Sequence, residues 1–172
     1  MAVLDILIAP HPVLKTKAKP VEKVDARIAK LMDDMVDTMY AANGIGLAAP
    51  QIGLSERVIV VDVHEKDEKP NPIRLANPEI VWTSEERAPC EEGCLSIPEL
   101  YAEVVRPKAV RVRYLDEKNQ PREIEADGML ATCLQHEIDH LDGVLFVDHL
   151  STLKRGMIMR KLQKQQRQKT SA

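Results

Sequence analysis

Between about Asp25 and Ala42, apolar side chains recur at three- and four-residue spacing: Ile28, Leu31, Met32, Met35, Val36 and Met39, with charged residues between them. That period predicts an amphipathic helix with one buried face. Asp25 can cap its start and Asn43-Gly44 can stop it. The methionines on the stripe read as adaptable core filler.

A glycine-rich turn follows, Gly44 to Gly53, and then Arg57-Val58-Ile59-Val60-Val61-Asp62-Val63, an apolar run of buried-strand length. The charged, proline-bearing stretch His64–Asn71 predicts a loop. Ile80-Val81-Trp82 predicts a strand bracketed by Pro78 and a polar turn. Val110, Val112 and Tyr114 alternate with Arg111 and Arg113, turn at Asp116–Asn119 and return through Arg122–Ala126, a hairpin pattern. Met129–Gln135 is helix-compatible and leads into His136-Glu137-Ile138-Asp139-His140, with Gly143 as the stop. Ser151 can cap a last helix, about 151–168, with Leu153, Met157 and Leu162 on its inner face. Helices and strands without βαβ alternation predict an α+β fold. Small mixed or antiparallel strands would surround a central helix, flanked by N-terminal and C-terminal helices.

With 172 residues, 44% hydrophobic and 30% charged, the chain is expected to be one globular domain spanning 1–172. No apolar run reaches the roughly 20 residues of a membrane span, and Asp5 interrupts the apolar N-terminus, which therefore does not read as a signal peptide. Three cysteines are too few for a disulfide framework and favour a reducing, cytoplasmic setting. Seven of the 24 Lys and Arg lie in 151–172 with no acidic residue, so 1–150 carries 17 against 27, a formal −10. An acidic body with a basic tail suggests a second neighbour, such as ribosomal RNA, for the last helix.

The chemistry is concentrated in the His136–His140 pentad. Side chains four apart on a helix share a face, roughly 5–6 Å apart at Cβ, so His136 and His140 can grip one metal ion with Glu137 beside its remaining positions. A catalytic site normally takes a third protein ligand. Phe146 stands where a metzincin peptidase would carry its last histidine, and His149 falls beyond the helix. Cys133 shares the face of His136 but is seven residues from His140, roughly 10 Å of rise, and reads as a pocket wall. Cys94, beside Gly93, is the stronger candidate. Cys90 and Cys94 with both histidines would instead make a closed structural site.

Three segments together, Gly44-Ile45-Gly46-Leu47-Ala48-Ala49-Pro50-Gln51, Glu92-Gly93-Cys94-Leu95-Ser96 and Gln135-His136-Glu137-Ile138-Asp139-His140, resemble in order and separation the signature segments of the peptide deformylases. The likeness extends to the opening Pro10-His11-Pro12-Val13-Leu14. It implies removal of the formyl group from the N-terminal formyl-methionine of new bacterial polypeptides. It implies Cys94, His136 and His140 as metal ligands and Glu137 as catalytic acid/base. The Gln51 side chain and the Leu95 backbone N–H would be the oxyanion donors. Iron(II) is the implied ion, with zinc, nickel or cobalt as alternatives. Ile45, Gly46, Met129 and Cys133 are candidates for the methionine slot, and Glu92, Gly93 and Tyr101 for its flanks. Tyr101 stands where several members carry Arg. Glu92 and Arg106 are a candidate ion pair steadying the cysteine loop. A monomer is expected.

Two other readings compete. A zincin-type peptidase would cut internal peptide bonds but leaves Cys94 unexplained. A non-enzymatic, ribosome-associated metal module would recruit Cys90 as a fourth ligand.

Overall fold

The computed structural model describes residues 2–170. The first helix, α1, spans Ala26–Ala41. The Asp25 carboxylate accepts from the Ile28 N–H at 3.0 Å, satisfying a donor that the first turn leaves without a helical partner. At the far end Asn43 adopts a left-handed φ of 57°. The N–H groups of Asn43 and Gly44 then reach back to the carbonyls of Tyr40 and Met39 at 3.0 and 2.9 Å, closing the helix in a Schellman motif. The six stripe residues are all buried.

Among the described residues seven strands follow in chain order: β1 Gly46–Ala48, β2 Val58–Val61, β3 Ile73–Thr83, β4 Arg87–Cys94, β5 Ile97–Pro107, β6 Ala109–Leu115 and β7 Pro121–Asp127. Five form one sheet in the order β1-β2-β3-β6-β7, and β4 pairs with β5 as a separate hairpin. Every strand pair is antiparallel. The second helix, α2, is Gly128–Leu141, and the third, α3, is Thr152–Thr170.

The sheet is sandwiched between the first two helices. Val58 and Val60 on β2 pack with the α1 stripe, whereas Ile59 and Val61 pack with Ala131, Cys133, Leu134, Ile138 and Leu141 of α2. Alternate side chains on a strand point to opposite faces, so a strand covered on both sides must be apolar throughout, as Val-Ile-Val-Val is. Fully burying each such side chain stabilises the fold by roughly 1.5–3 kcal/mol. A third cluster joins Ala9, Leu14, Ile97, Val104, Phe146 and Leu162, tying the N-terminal segment and α3 to the β4–β5 hairpin.

Some expectations change. The third strand is not bracketed by Pro78 but runs through it; register shifts around 76–79 and left-handed Asn77 (φ 48°) absorb the missing donor. The segment around Cys90 and Cys94, expected as a loop, belongs instead to the paired strands β4 and β5. On α3 only Leu162 of the expected inner face is buried; Leu153 and Met157 are 69% and 46% exposed. Met157 and Leu162 are five residues apart, about 140° around a helix. The inward stripe is instead Ile158, Met159 and Leu162. The Ser151 hydroxyl does accept from the Lys154 N–H at 3.2 Å, as a cap. Among the described residues, no helix is long and apolar enough to cross a membrane.

Candidate metal centre

The α2 helix lies against the sheet with His136, Glu137 and His140 turned inward; their exposures are 7%, 4% and 0%. Cys94 is the last residue of β4, where Leu95-Ser96 turns the hairpin toward α2. Its Sγ lies 3.3 Å from His140 Nε2, and His140 Nε2 lies 3.3 Å from His136 Nε2. Among the described residues this trio is the cluster whose donor atoms, all within 4.8 Å of one another, could hold a metal ion. Cys90 is outside it and directs its thiol toward the Glu91 carbonyl at 3.7 Å. The closed four-ligand alternative therefore loses its fourth ligand.

The donor set fits a divalent ion. Bonds of 2.0–2.3 Å in a tetrahedral shell put ligand atoms roughly 3.3–3.6 Å apart, which is the spacing of His140 Nε2 from both Cys94 Sγ and His136 Nε2. Lone pairs of one sulfur and two nitrogens aimed at a common point repel unless a cation stands between them. A soft thiolate with two imidazoles suits zinc and iron alike.

The charges around the trio decide which ring nitrogen of His136 is free to bind an ion. His136 Nδ1 lies 3.0 Å from Glu92 Oε1, and Glu92 is held by Arg106 at 2.6 and 2.9 Å. Burial opposes ionisation of Glu92, but His136 and Arg106 outweigh it and lower its carboxyl below the usual range. An ionised Glu92 accepts the Nδ1 proton, which leaves Nε2 of His136 to coordinate. Burial alone would make His136 less basic, yet its contacts with Cys94 and Glu92 carry its basicity upward. Burial, then the neighbouring His136, drives His140 well down, so its imidazole is neutral. Arg106 also donates to Asp139 at 2.8 Å, and His149 Nε2 lies 2.8 Å from the same carboxylate. The Glu92–Arg106 pairing was anticipated. Its extension to Asp139 and His149 was not, because nothing local in sequence links positions 33 residues apart.

Beside the trio is a cavity of about 500 Å³. Every other site candidate lines it: Ile45, Gly46, Gln51, Glu92, Gly93, Leu95, Tyr101, Met129, Cys133 and Glu137. Glu137 Oε1 is buried without a hydrogen-bond partner, and burial pushes its carboxyl up to about 7. A cation on the adjacent donors would pull that value down. Gln51 Oε1 accepts from the Ala48 N–H at 3.0 Å, so its Nε2 is the atom facing Ser96 Oγ at 3.1 Å and Cys94 Sγ at 3.5 Å. Gly46 and Gly93 permit close approach. A Cβ on Gly46 would stand 2.5 Å from Glu137 Oε2, and one on Gly93 would stand 2.5 Å from the Tyr101 ring. Met129, a slot candidate, is 48% exposed at the mouth of the cavity. Thr132, Asn43, Pro98 and Glu99 also line the cavity and were missed. Thr132 could have been found, since it lies four residues before His136 on the same helical face.

A family profile described as polypeptide deformylase matches residues 3–156. The chain belongs to the polypeptide deformylase family. A peptide deformylase of Bartonella quintana is 53% identical over 171 residues, covering 99% of this chain and 97% of that protein. The crystal structure of a peptide deformylase from Legionella pneumophila superposes with a TM-score of 0.92 at 48% identity, covering 99% of both chains. That of a peptide deformylase from Ehrlichia chaffeensis in complex with actinonin superposes with a TM-score of 0.93 at 44% identity, covering 97% of this chain and 99% of the other. The fold is thus that of deformylases along nearly its whole length, and the α+β reading stands.

Proposed function

We propose that this chain hydrolyses the formyl group from the N-terminal formyl-methionine of nascent polypeptides, as one catalytic domain with one divalent ion. The observation that carries the reading is the convergence of Cys94 Sγ with the Nε2 atoms of His136 and His140 beside a cavity that Glu137 and Gln51 also line. A divalent ion on those donors supplies Lewis acidity, lowering the pKa of water and polarising a carbonyl oxygen. Iron(II) is the proposed ion, with zinc, nickel or cobalt able to replace it.

The residues of the chain do the rest. Glu137, buried and without a hydrogen-bond partner at Oε1, takes the proton of the attacking water and hands it to the departing amine. The Gln51 Nε2–H and the Leu95 N–H stabilise the oxyanion of the tetrahedral intermediate. The Gln51 amide is oriented in advance by the Ala48 N–H, so it reorganises little during reaction. Ile45, Met129 and Cys133 form the slot for the methionine side chain. Gly46, at the edge of the sheet, pairs with the backbone of the following residues, as an added strand does. Such pairing tolerates almost any sequence after methionine.

The basic face of α3 is proposed to rest on the ribosome near the emerging chain, and the enzyme to work as a monomer in the bacterial cytoplasm. Changing Lys161, Lys164 and Arg167 to Glu should abolish low-salt cosedimentation with ribosomes while hydrolysis persists. The activity itself is tested by anaerobic purification, elemental analysis and assay of formyl-Met-Ala-Ser against an internally cleavable, N-terminally acetylated peptide. Release of formate with one metal per chain and no internal cleavage is expected. Internal cleavage without formate release would restore the peptidase reading.

A further inference from the structure

Asp62 plays no part in the chemistry above, yet its side chain is 1% exposed and carries a carboxylate. Burying a charge is costly unless several donors satisfy it. Here three do so: the Tyr40 hydroxyl, His64 Nδ1 at 2.9 Å and the Asn71 backbone N–H at 3.0 Å. Burial works against ionisation of Asp62, but Tyr40, His64 and Asn71 more than offset it and the carboxyl falls below its usual range. Burial and then Asp62 itself drive the Tyr40 phenol upward, so the phenol stays protonated and is the donor.

What these anchors enclose is the substrate side of the cavity. Tyr40 sits at the end of α1, and residues 42–46, which follow it, all line the cavity. This short turn contains left-handed Asn43, whose N–H and that of Gly44 close the end of α1. Downstream, the Asp62 N–H donates to the Ile45 carbonyl at 2.8 Å, and the Cys133 thiol approaches the same oxygen at 3.4 Å. Asp62 therefore grips both ends of the turn, one through its side chain and one through its backbone. In a trans peptide unit the C=O of one residue and the N–H of the next point in opposite directions. With the Ile45 carbonyl drawn toward β2, the Gly46 N–H is turned to the free edge of β1, the side on which a peptide would add.

We infer that Tyr40 and Asp62 are positioning residues for peptide substrate: by clasping the turn 42–46 they preset the edge of β1 and determine how tightly the formylated chain docks. This rests on the deformylase reading and extends it to residues that touch neither metal donors nor substrate.

The test compares Tyr40→Phe, Asp62→Asn and Asp62→Ala with wild type, all metal-loaded, on formyl-Met-Ala-Ser. Val36→Ala, a cavity variant on the buried face of the same helix, controls for simple destabilisation. Loss of one or two anchoring hydrogen bonds should raise KM roughly three- to ten-fold. Asp62→Ala should show the larger rise and Asp62→Asn the smaller, with kcat within about two-fold and metal content unchanged. Val36→Ala should lower Tm and leave KM alone. Unchanged KM in Tyr40→Phe and Asp62→Ala overturns the inference. So does a KM rise in Val36→Ala as large as theirs, or a fall in kcat that outweighs the change in KM. A wild type that releases no formate sinks the deformylase reading and this inference together; an active wild type with insensitive variants sinks this inference alone.

Discussion

Glu92 Oε1 stands 3.0 Å from His136 Nδ1, while both oxygens of that carboxylate are occupied by Arg106. One buried acid thus fixes the imidazole that faces the sulfur of Cys94, and a buried guanidinium, 7% exposed at its side chain, fixes the acid. Partners of this kind typically contribute 10- to 100-fold to metal affinity. Glu92→Ala should weaken metal binding by about that factor, measured by competition with a chelator. It should also destabilise the fold by about 3–5 kcal/mol, because Arg106 is left buried with half its partners gone. Arg106→Met is the informative companion. If Glu92 acts only through His136, that variant should weaken metal binding less than Glu92→Ala.

Gly46→Ala tests how closely β1 approaches α2. The added methyl would meet Glu137 Oε2 at 2.5 Å and Cys133 Sγ at 2.9 Å, so one of these side chains must move. Overpacking of this kind costs about 1–3 kcal/mol, and Glu137 has the longer, freer side chain. Turnover should fall at least ten-fold while metal content holds. Full activity in the alanine variant would show that Glu137 does not act from the position it occupies here.

How much of this was legible beforehand depends on the element. The α1 stripe and the caps Asp25 and Asn43 were readable because each acts over fewer than five residues. The β6–β7 hairpin was readable because one of its faces is the more deeply buried, so Val110 and Val112 alternate with less buried neighbours. The β4–β5 hairpin was not. Pro89, Gly93 and Pro98 interrupt its sequence, and although burial alternates along both strands, the inward side carries charged Glu92 and Arg106 among its apolar residues. For the same reason Cys94 could be favoured from its neighbours, but its approach to His140 had to await the fold. Met157 was misjudged because an apolar residue on a helix was placed inward, whereas it opens onto solvent. Tyr40 and Asp62 carry no sequence signal, since each reads as an ordinary residue at the end of an element.

Asp148 ties three segments together. It accepts from Lys15 Nζ at 2.5 Å, the Leu145 N–H at 2.9 Å and Arg155 Nε at 3.0 Å. Burial disfavours its charge, but Lys15, the Leu145 N–H and Arg155 outweigh that and lower its carboxyl. A carboxyl lowered on folding stabilises the protein above its unfolded pKa, about 3.9, and that stabilisation disappears as pH falls through the lower folded value. Asp148→Asn should therefore be less stable than wild type by about 1 kcal/mol from pH 5 to 7, a modest figure because both cations are half exposed. Below about pH 4 the two proteins should converge. Urea melts at pH 7, 5 and 3.5 would read this directly, and a gap that widens toward acid would refute it.

Gln51 is 1% exposed, and its amide is oriented by two neighbours whose chemistry allows only one arrangement. The Ala48 N–H must meet the carbonyl oxygen, so the amide nitrogen faces Ser96 Oγ and the Cys94 sulfur. If that N–H stabilises the developing oxyanion, Gln51→Ala should lower kcat by about 10²–10³ with metal content intact. Ser96→Ala removes a neighbour of the amide without removing the donor, and should lower kcat by a smaller factor. That order separates the two roles Gln51 could play. Were Gln51 merely a strut for the Ala48 turn, both variants would lower Tm, and kcat measured well below Tm would be unmoved in either.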